Sequence, residues 1–483
     1  MYAVMGKILV VNLGDLTMAE REIPEEVYKK YLGGVGLAVH VLSEMIPAGA
    51  DALGPDNVLA FMSGALTGTG SLMTGRWMVC TKSPLTGGWG DANCGGTLSP
   101  AIKQCGWDGI FFTGIASKPV VFVSDEKGPR LESAEALWGL DAIESEEAIL
   151  AAWKQKRNPA VAVIGPAAEH VSLISGISND GGRYAARSGV GAVMGSKRLK
   201  AVVLSGTGKI AVAKADRVKT LSKRYADFVN KATWPGMISG KFLKTMGKML
   251  GLPFVVPVPG FATAMVLKKW GTTYNNTAGV VNGDSPIRNW SGSVKDYDSS
   301  KYEKLNPDRI LARETKKYRC YSCVIGCGGI CDITGLGLAG EHSHKPEYET
   351  CCAFGPLLMN DDLDTIFVCN ELCNRSGLDT ISAGSAIAFA IECYENGVIN
   401  KDDTDGLELT WGNSKAIVEL LKKMINREGL GAVLADGVAK AAEIIGRGSE
   451  KYAVHAGGQE PGMHDGRYDP MMEIGRASCR ERV

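Results

Sequence analysis

The chain has 483 residues, 45% of them hydrophobic and 22% charged, with 53 Lys and Arg balanced by 53 Asp and Glu. That length predicts two or three domains rather than one core, and zero net charge offers no electrostatic case for nucleic-acid binding. The opening MYAVMGKILVVNLGDL lacks the apolar core and cleavage site of a signal peptide, and no apolar run approaches the roughly 18 residues of a membrane helix. The expected location is therefore cytoplasmic, away from a membrane.

Residues 1 to 210 alternate short β-branched runs (KILVVNL, GIFFTGI, PVVFVSD, AVAVIG, LKAVVLSG) with glycine-rich turns, which predicts a sheet-built domain with few helices. From Ala213 the pattern becomes helical: KADRVKTLSKRYADFVNKA and NDDLDTIFVCNELCNRSG carry apolar residues at helical spacing. GLPFVVPVPGFATAM holds too much Pro and Gly for a helix and is expected to be a loop lining a pocket. Residues 211 to 410 thus make a second, helical domain. After the polar stretch NKDDTDGLELTWG, a helix capped by Asn413, with Ile417, Leu420, Leu421 and Met424 on its apolar face and Gly429 at its C-cap, is expected to open a third domain over 411 to 473. The fold class is α+β, a sheet-built base followed by mostly helical domains.

Thirteen cysteines without a secretory signal are expected to be thiols or metal ligands rather than disulfides. YRCYSCVIGCGGIC places Cys320, Cys323 and Cys327 at C-x2-C-x3-C spacing. Three thiolates in one short, small-residue turn suit a cubane iron–sulfur cluster, whereas structural zinc usually takes two close pairs separated by a longer loop. Cys331 stands four residues on, either a fourth ligand or a packed thiol. Cys369 and Cys373 lie one helical turn apart and are expected in the core. Cys351 and Cys352 follow two carboxylates in KPEYETCC, which leaves a metal or catalytic role open.

The stretch FMSGALTGTGSLMTGRWMVCTKSPLTGGWGDANCGG sets Arg76, Lys82, Asp91 and Asn93 among glycines, and GGRYAARSGVGAVMGSKRLKAVV does the same with Arg183, Arg187, Lys197 and Arg198. Glycines expose backbone donors, guanidinium groups grip phosphates, and an Asn carbonyl suits Mg²⁺. The bland alternative is a set of hairpin turns with exposed charges. Walker and dinucleotide fingerprints are missing, which argues against a nucleotide-binding enzyme with structural zinc.

Taken in order and spacing, GRWMVCTKSPLTGGWGDANCGG, ARSGVGAVMGSKRLKAVV, the C-x2-C-x3-C run, PEYET and NRSGLDTIS resemble the tungsten-containing aldehyde:ferredoxin oxidoreductase family, over essentially residues 1 to 473. The resemblance implies a tungsten (or molybdenum) bis-pyranopterin, a 4Fe-4S cluster and Mg²⁺, with aldehydes oxidised to carboxylic acids and electrons passed to ferredoxin. It implies cluster ligation by Cys320, Cys323 and Cys327, and Arg76 between cluster and pterin. Asn93 and the backbone at Tyr184 would hold Mg²⁺, and Gly95 and Arg183 would contact the pterins, with Arg187 nearby. The family's D-x-x-G-L pattern falls on NRSGL, where Asn374 replaces the acid and Gly377, Leu378 and Asp379 remain. A carboxylate near the metal matches Glu349 or, in another register, Glu347.

HAGGQEPGMHDGRYDP and the paired cysteines also resemble the catalytic subunit of tungsten-dependent benzoyl-CoA reductases, in which an aromatic thioester is reduced. That branch implies Cys351 or Cys352 as a metal thiolate and an iron–sulfur partner subunit. His464 is a candidate proton donor in either branch. A homo-oligomer or hetero-complex is expected. The rival class is a non-catalytic iron–sulfur or zinc-stabilised electron-transfer subunit.

The last ten residues, IGRASCRERV, back-translate into a common sequencing adapter, so the native chain is expected to diverge near Glu473 and residues 474 to 483 to be a non-native tail. The resemblance then implies that the family's fourth cluster cysteine and catalytic histidine lie beyond it.

Overall fold

The structure is a computed structural model that describes residues 1–233, 235, 238–252 and 259–468. The expected tail at 474 to 483 and residues 253 to 258 of the expected pocket loop lie outside the described residues. The chain divides into two compact units. The first comprises Met1–Phe228, Arg319–Val324 and Asn374–Leu378, and the second Val229–Tyr318, Ile325–Cys373 and residues from Asp379 onward. The helices expected to form a separate third domain belong to that second unit.

In the first unit, the β-branched runs become two six-stranded sheets. One contains β1 (Lys7–Asn12), β2 (Thr17–Glu22), β3 (Leu59–Ser63), β4 (Trp77–Lys82), β5 (Trp89–Cys94) and β6 (Gly109–Thr113), in the order β2-β1-β6-β3-β4-β5. The other contains β7 (Val120–Asp125), β8 (Gly128–Ser133), β9 (Ala160–Val163), β10 (Ile177–Asn179), β11 (Arg183–Ala185) and β12 (Leu199–Leu204), in the order β11-β10-β9-β12-β7-β8. Each sheet has one parallel pairing, β1 with β6 and β12 with β7. A shared apolar core takes Leu9 and Val11 from β1, Phe61 and Trp77, and Val202 and Leu204 from β12. Phe112 links the sheets, edge-on to Phe61 at 5.8 Å and to Phe122 at 5.4 Å. The central strands are buried on both faces: Ile8 points into a second cluster, and Ala201 and Val203 into a third. This explains why they read as continuous apolar runs rather than alternating ones.

The second unit is mainly helical, with one departure from expectation. Within the region expected to be helical, β13 (Glu314–Tyr318), β14 (Gly328–Asp332) and β15 (His342–His344) form an antiparallel sheet in the order β13-β14-β15. Glycines at 328 and 329 let β14 pack closely: a Cβ at Gly328 would meet the Tyr318 ring, and one at Gly329 the Glu314 carboxylate. A helix already begins at Gly260, so the expected loop does not extend through Met265. The helix Ser414–Asn426 has the expected cap, Asn413 accepting from the Ala416 N–H at 3.3 Å, and buries Ile417, Leu420, Leu421 and Met424. Its C-cap is Arg427 in the left-handed region, not Gly429, which instead caps the N-terminus of the next helix, Leu430–Leu434. No described helix is long and apolar enough to cross a membrane.

Candidate functional site

The second unit gathers a polar cluster from four separated stretches. Tyr348–Ala353 is a short helix whose N-cap is Glu347. Glu347 does not face the cluster histidine: its carboxylate accepts the Thr272 hydroxyl, and the same hydroxyl oxygen accepts the Tyr348 N–H at 3.1 Å. Two residues on, Glu349 reaches His464. Its Oε1 lies 3.5 Å from Nε2, and its Oε2 accepts the Met463 N–H at 2.7 Å. The other ring nitrogen, Nδ1, lies 2.9 Å from both carboxylate oxygens of Asp284. Asp284 is fixed in turn by Asn275, whose amide donates at 3.0 Å, and its carbonyl accepts the Asp465 N–H at 2.6 Å. Tyr348 braces the arrangement from below, donating to the Met463 carbonyl at 2.6 Å with its oxygen 2.9 Å from the Ser285 hydroxyl.

Burial by itself would lower the His464 pKa, but the hydrogen bonds and charges of Asp284 and Glu349 outweigh it and hold the imidazole at about 9. The ring is therefore an imidazolium at neutral pH, both nitrogens donating, with a carboxylate on each side. That arrangement can deliver the Nε2 proton, and take one back once it has left, while Asp284 keeps the ring oriented. Of the sequence candidates, Glu349 and His464 meet and Glu347 stands aside. Asp284 was missed, because an Asp in the turn NGDSP carries no distinguishing pattern.

The cysteines separate by environment. Cys320, Cys323 and Cys327 are half-buried, whereas Cys331, Cys351, Cys352, Cys369 and Cys373 are buried. Cys331 sits within β14, and burial raises its thiol pKa to about 12. Burial likewise raises Cys351 to about 12 and Cys352 well above its ordinary value, with the Cys352 sulfur 3.8 Å from the Pro286 carbonyl. Among the described residues no three His, Cys, Asp or Glu side chains converge as a ready metal site. The C-x2-C-x3-C loop nonetheless has the donor chemistry for iron: thiols at the right spacing, not sealed in the core. A backbone cradle accompanies it in the first unit. The Tyr321 N–H donates to the Gly96 carbonyl at 3.2 Å, and a Cβ at Gly95 would collide with the Cys320 sulfur.

The candidate cofactor residues of the first unit also come together. Arg76 and Asn93, both exposed, face each other across β4 and β5: the Arg76 Nε donates to the Asn93 side-chain oxygen and its terminal nitrogen to the Asn93 carbonyl at 3.2 Å. Arg183 pairs with Asp180 at 2.5 Å and donates to the Arg319 carbonyl at 3.3 Å, beside Cys320. The buried side-chain oxygen of Asn179, paired with Arg183 across β10 and β11, has no hydrogen-bond donor among the described residues. Arg187 lies in the turn that follows. The NRSGL stretch packs against the same sheet. Tyr184 donates to the Asn374 carbonyl, the Gly176 N–H donates to the Gly377 carbonyl at 2.9 Å, and Leu378 bridges to Ser175. Gly377 has a φ of 87°, a conformation that suits glycine. Asp379 is engaged as a helix N-cap, accepting from the Ile381 N–H and the Ser382 hydroxyl, each at 3.0 Å. Loops rich in backbone donors with guanidinium groups fit a phosphate-bearing cofactor in kind.

Comparison with known proteins points the same way. Residues 8–206 match the family model "Aldehyde ferredoxin oxidoreductase, N-terminal domain", and residues 259–480 match "Aldehyde ferredoxin oxidoreductase, domains 2 & 3". A tungsten-containing aldehyde ferredoxin oxidoreductase of Thermococcus kodakarensis is 34% identical over 447 residues, covering 92% of this chain and 68% of that protein. The WOR-like subunit of an aliphatic sulfonate oxidoreductase of Pyrococcus furiosus is 29% identical over 485 residues, covering 96% of this chain and 72% of the relative. A solved structure, the active site complex BamBC of benzoyl coenzyme A reductase with 1,5-dienoyl-CoA, superposes with a TM-score of 0.79 at 27% identity. It covers 95% of this chain and 66% of that one, so the chain spans about two thirds of the length of such relatives. Two matching domain models in the correct order, and one-third identity across nearly the whole chain, lead to one conclusion: this chain belongs to the aldehyde ferredoxin oxidoreductase family of oxidoreductases.

Proposed function

We propose that this chain is the cofactor-binding part of an enzyme that oxidises an aldehyde to a carboxylic acid. Aldehyde and water give carboxylate, three protons and two electrons, and a ferredoxin-type acceptor takes the electrons singly. The observation that carries this reading is the His464 imidazolium bracketed by Asp284 and Glu349, in a chain whose relatives bear that activity in their names. A tungsten or molybdenum bis-pyranopterin with a 4Fe-4S cluster, when bound, supplies the two-electron oxidation and the one-electron exit. Arg76, Arg183 and Arg187 would neutralise pterin phosphates, with Mg²⁺ held by Asn93 and the backbone at Tyr184. Gly95, Gly377 and Leu378 would form the backbone cradle, and Cys320, Cys323 and Cys327 would ligate the cluster. Glu349 accepts a proton released from water or aldehyde hydrate, the His464 Nε2–H faces that carboxylate, and Asp284 keeps the imidazole charged and oriented.

The test is aldehyde-dependent reduction of benzyl viologen by the natural full-length protein, expressed anaerobically with tungstate, alongside metal analysis. Activity with tungsten bound supports the reading, and Glu349→Gln should lower kcat on the order of 10²-fold or more. Zinc or iron alone, with no aldehyde activity, sinks it. Turnover of benzoyl-CoA in place of aldehydes would give the chemistry to the reductive branch, with Cys351 or Cys352 as metal thiolate.

A further inference from the structure

A chain of zero net charge concentrates positive charge on one exposed helix. Between Lys214 and Lys231 lie Lys214, Arg217, Lys219, Lys223, Arg224 and Lys231 against only Asp216 and Asp227. All eight are exposed, and among the described residues none of the six cations takes a carboxylate partner. The helix Ala215–Lys231 turns Val218, Ser222, Ala226 and Val229 inward. Its remaining apolar residues stay outside: Leu221 is 55% exposed and Tyr225 51%, one turn apart, and Tyr225 leans on the Phe228 ring at 6.4 Å. Large apolar side chains ringed by cations that have no carboxylate partner among the described residues mark a binding surface more than a solvated face.

This helix is tied to the cysteine loop through a single intervening loop. Ser222 donates to the Gly70 carbonyl at 3.0 Å. The loop around Gly70 exposes two further large apolar residues, Leu66 and Met73, and Met73 donates its N–H to the Ser322 carbonyl at 3.0 Å, between Cys320 and Cys323. Gly75 approaches Tyr321 so closely that a Cβ would collide with its carbonyl. The loop is anchored from behind by Lys103, fully buried, whose ammonium donates to the Ala65 carbonyl at 2.8 Å and the Thr67 carbonyl at 3.3 Å. A partner seated on Leu221, Tyr225, Leu66 and Met73 would therefore stand next to the loop that carries two of the thiols.

We propose that this surface, Leu221 and Tyr225 with the cations Lys219, Lys223 and Arg224 and the loop residues Leu66 and Met73, is the docking site for a small acidic iron–sulfur electron carrier. The inference rests on the proposed oxidoreductase function and adds the place and chemistry of the partner. Positive charge steers an acidic protein and sets its approach, while the apolar residues supply the desolvated centre of a small, transient interface. A membrane surface would use the same charges, but it has no reason to engage a loop anchored to the cysteines.

The experiment measures binding of an acidic 4Fe-4S ferredoxin to the natural full-length protein at about 50 and 300 mM salt. The variants are Tyr225→Glu, which breaks the apolar centre, and the pair Lys223→Glu with Arg224→Glu, which reverses the charge. Each should weaken binding about 10-fold or more, and the charge reversal should also flatten the salt dependence. Aldehyde-dependent reduction of viologen, which needs no docking surface, should be unchanged. Unaltered ferredoxin affinity in both variants overturns the proposal. It is also overturned if the variants change the oligomeric state, or if they lose binding to phosphatidylserine vesicles while keeping ferredoxin. If the natural protein shows no aldehyde activity but its ferredoxin binding falls in the variants, the docking site stands and the proposed reaction fails.

Discussion

The two units hold buried charge by opposite means. In the first, Lys103 and Lys197 are fully buried and surrounded by backbone. Lys103 donates to the carbonyls of Ala3, Ala65 and Thr67, and Lys197 to those of Asn57 at 2.6 Å and Gly114 at 3.1 Å. In the second, His464 is held by two carboxylates. Carbonyl dipoles satisfy the hydrogen bonds of an ammonium without repaying its lost hydration, so burial lowers both lysines to about 8. Full negative charges more than repay it, and His464 rises to about 9. Cages of main-chain oxygen hold loops in place, whereas a carboxylate–histidine cluster holds a mobile proton.

Lys200 departs from this contrast, as the less buried pairs Arg183–Asp180 and Arg375–Asp141 of the first unit also do: it pairs with Glu169 at 2.5 Å, both groups almost wholly buried, and donates to the Leu140 carbonyl at 2.9 Å. Glu169→Ala should strand its ammonium and cost about 3–5 kcal/mol by urea denaturation. A loss below about 1 kcal/mol would mean that backbone alone can carry a buried lysine here.

The pH dependence of stability should then separate the units by sign. The folded His464 value lies above its ordinary 6.5, so its contribution is complete below that pH and is lost as pH rises through about 9, about 3 kcal/mol in all. Lys103 and Lys197 have folded values below their ordinary 10.5, so the penalty for burying their charge is relieved, and stability rises, between about pH 8 and 10.5. Denaturation measured across this range should show a fall followed by a recovery. His464→Gln should remove the fall and Lys103→Met should blunt the recovery. Identical profiles in both variants would refute the contrast. The smallest expected effect is Asn413→Ala, which removes a helix cap from the second unit and should cost about 1 kcal/mol in the same denaturation assay, without altering either pH limb.

Much of the first unit was legible because its signals are contiguous. KILVVNL, GIFFTGI and LKAVVLSG become β1, β6 and β12, since a strand buried on both faces needs an unbroken apolar run. Arg76 and Asn93 were both visible because they stand in one glycine-rich stretch of the chain. The sheet β13-β14-β15 was not visible, because ETKKY has the composition of a helix as readily as of an edge strand, and its pairing with Gly328–Asp332 is settled by contact across the cysteine loop. Gly429 was misplaced by two residues, since Arg427 can adopt the left-handed conformation that a glycine would take more easily.

By itself, the sequence determined the strand-rich first part, the amphipathic helices and the C-x2-C-x3-C donor set, because strand runs, helical periodicity and ligand spacing are local properties of the chain. The family resemblance added Glu349, with Glu347 as its alternative, and His464 as candidates. Only the tertiary structure set Glu349, rather than Glu347, beside His464 and brought Asp284 to the same ring, because Thr272 occupies the Glu347 carboxylate while residues 284, 349 and 464 meet by folding. A hydrogen bond is decided by ångströms of separation in space, and no spacing along the chain encodes a meeting of residues more than a hundred positions apart.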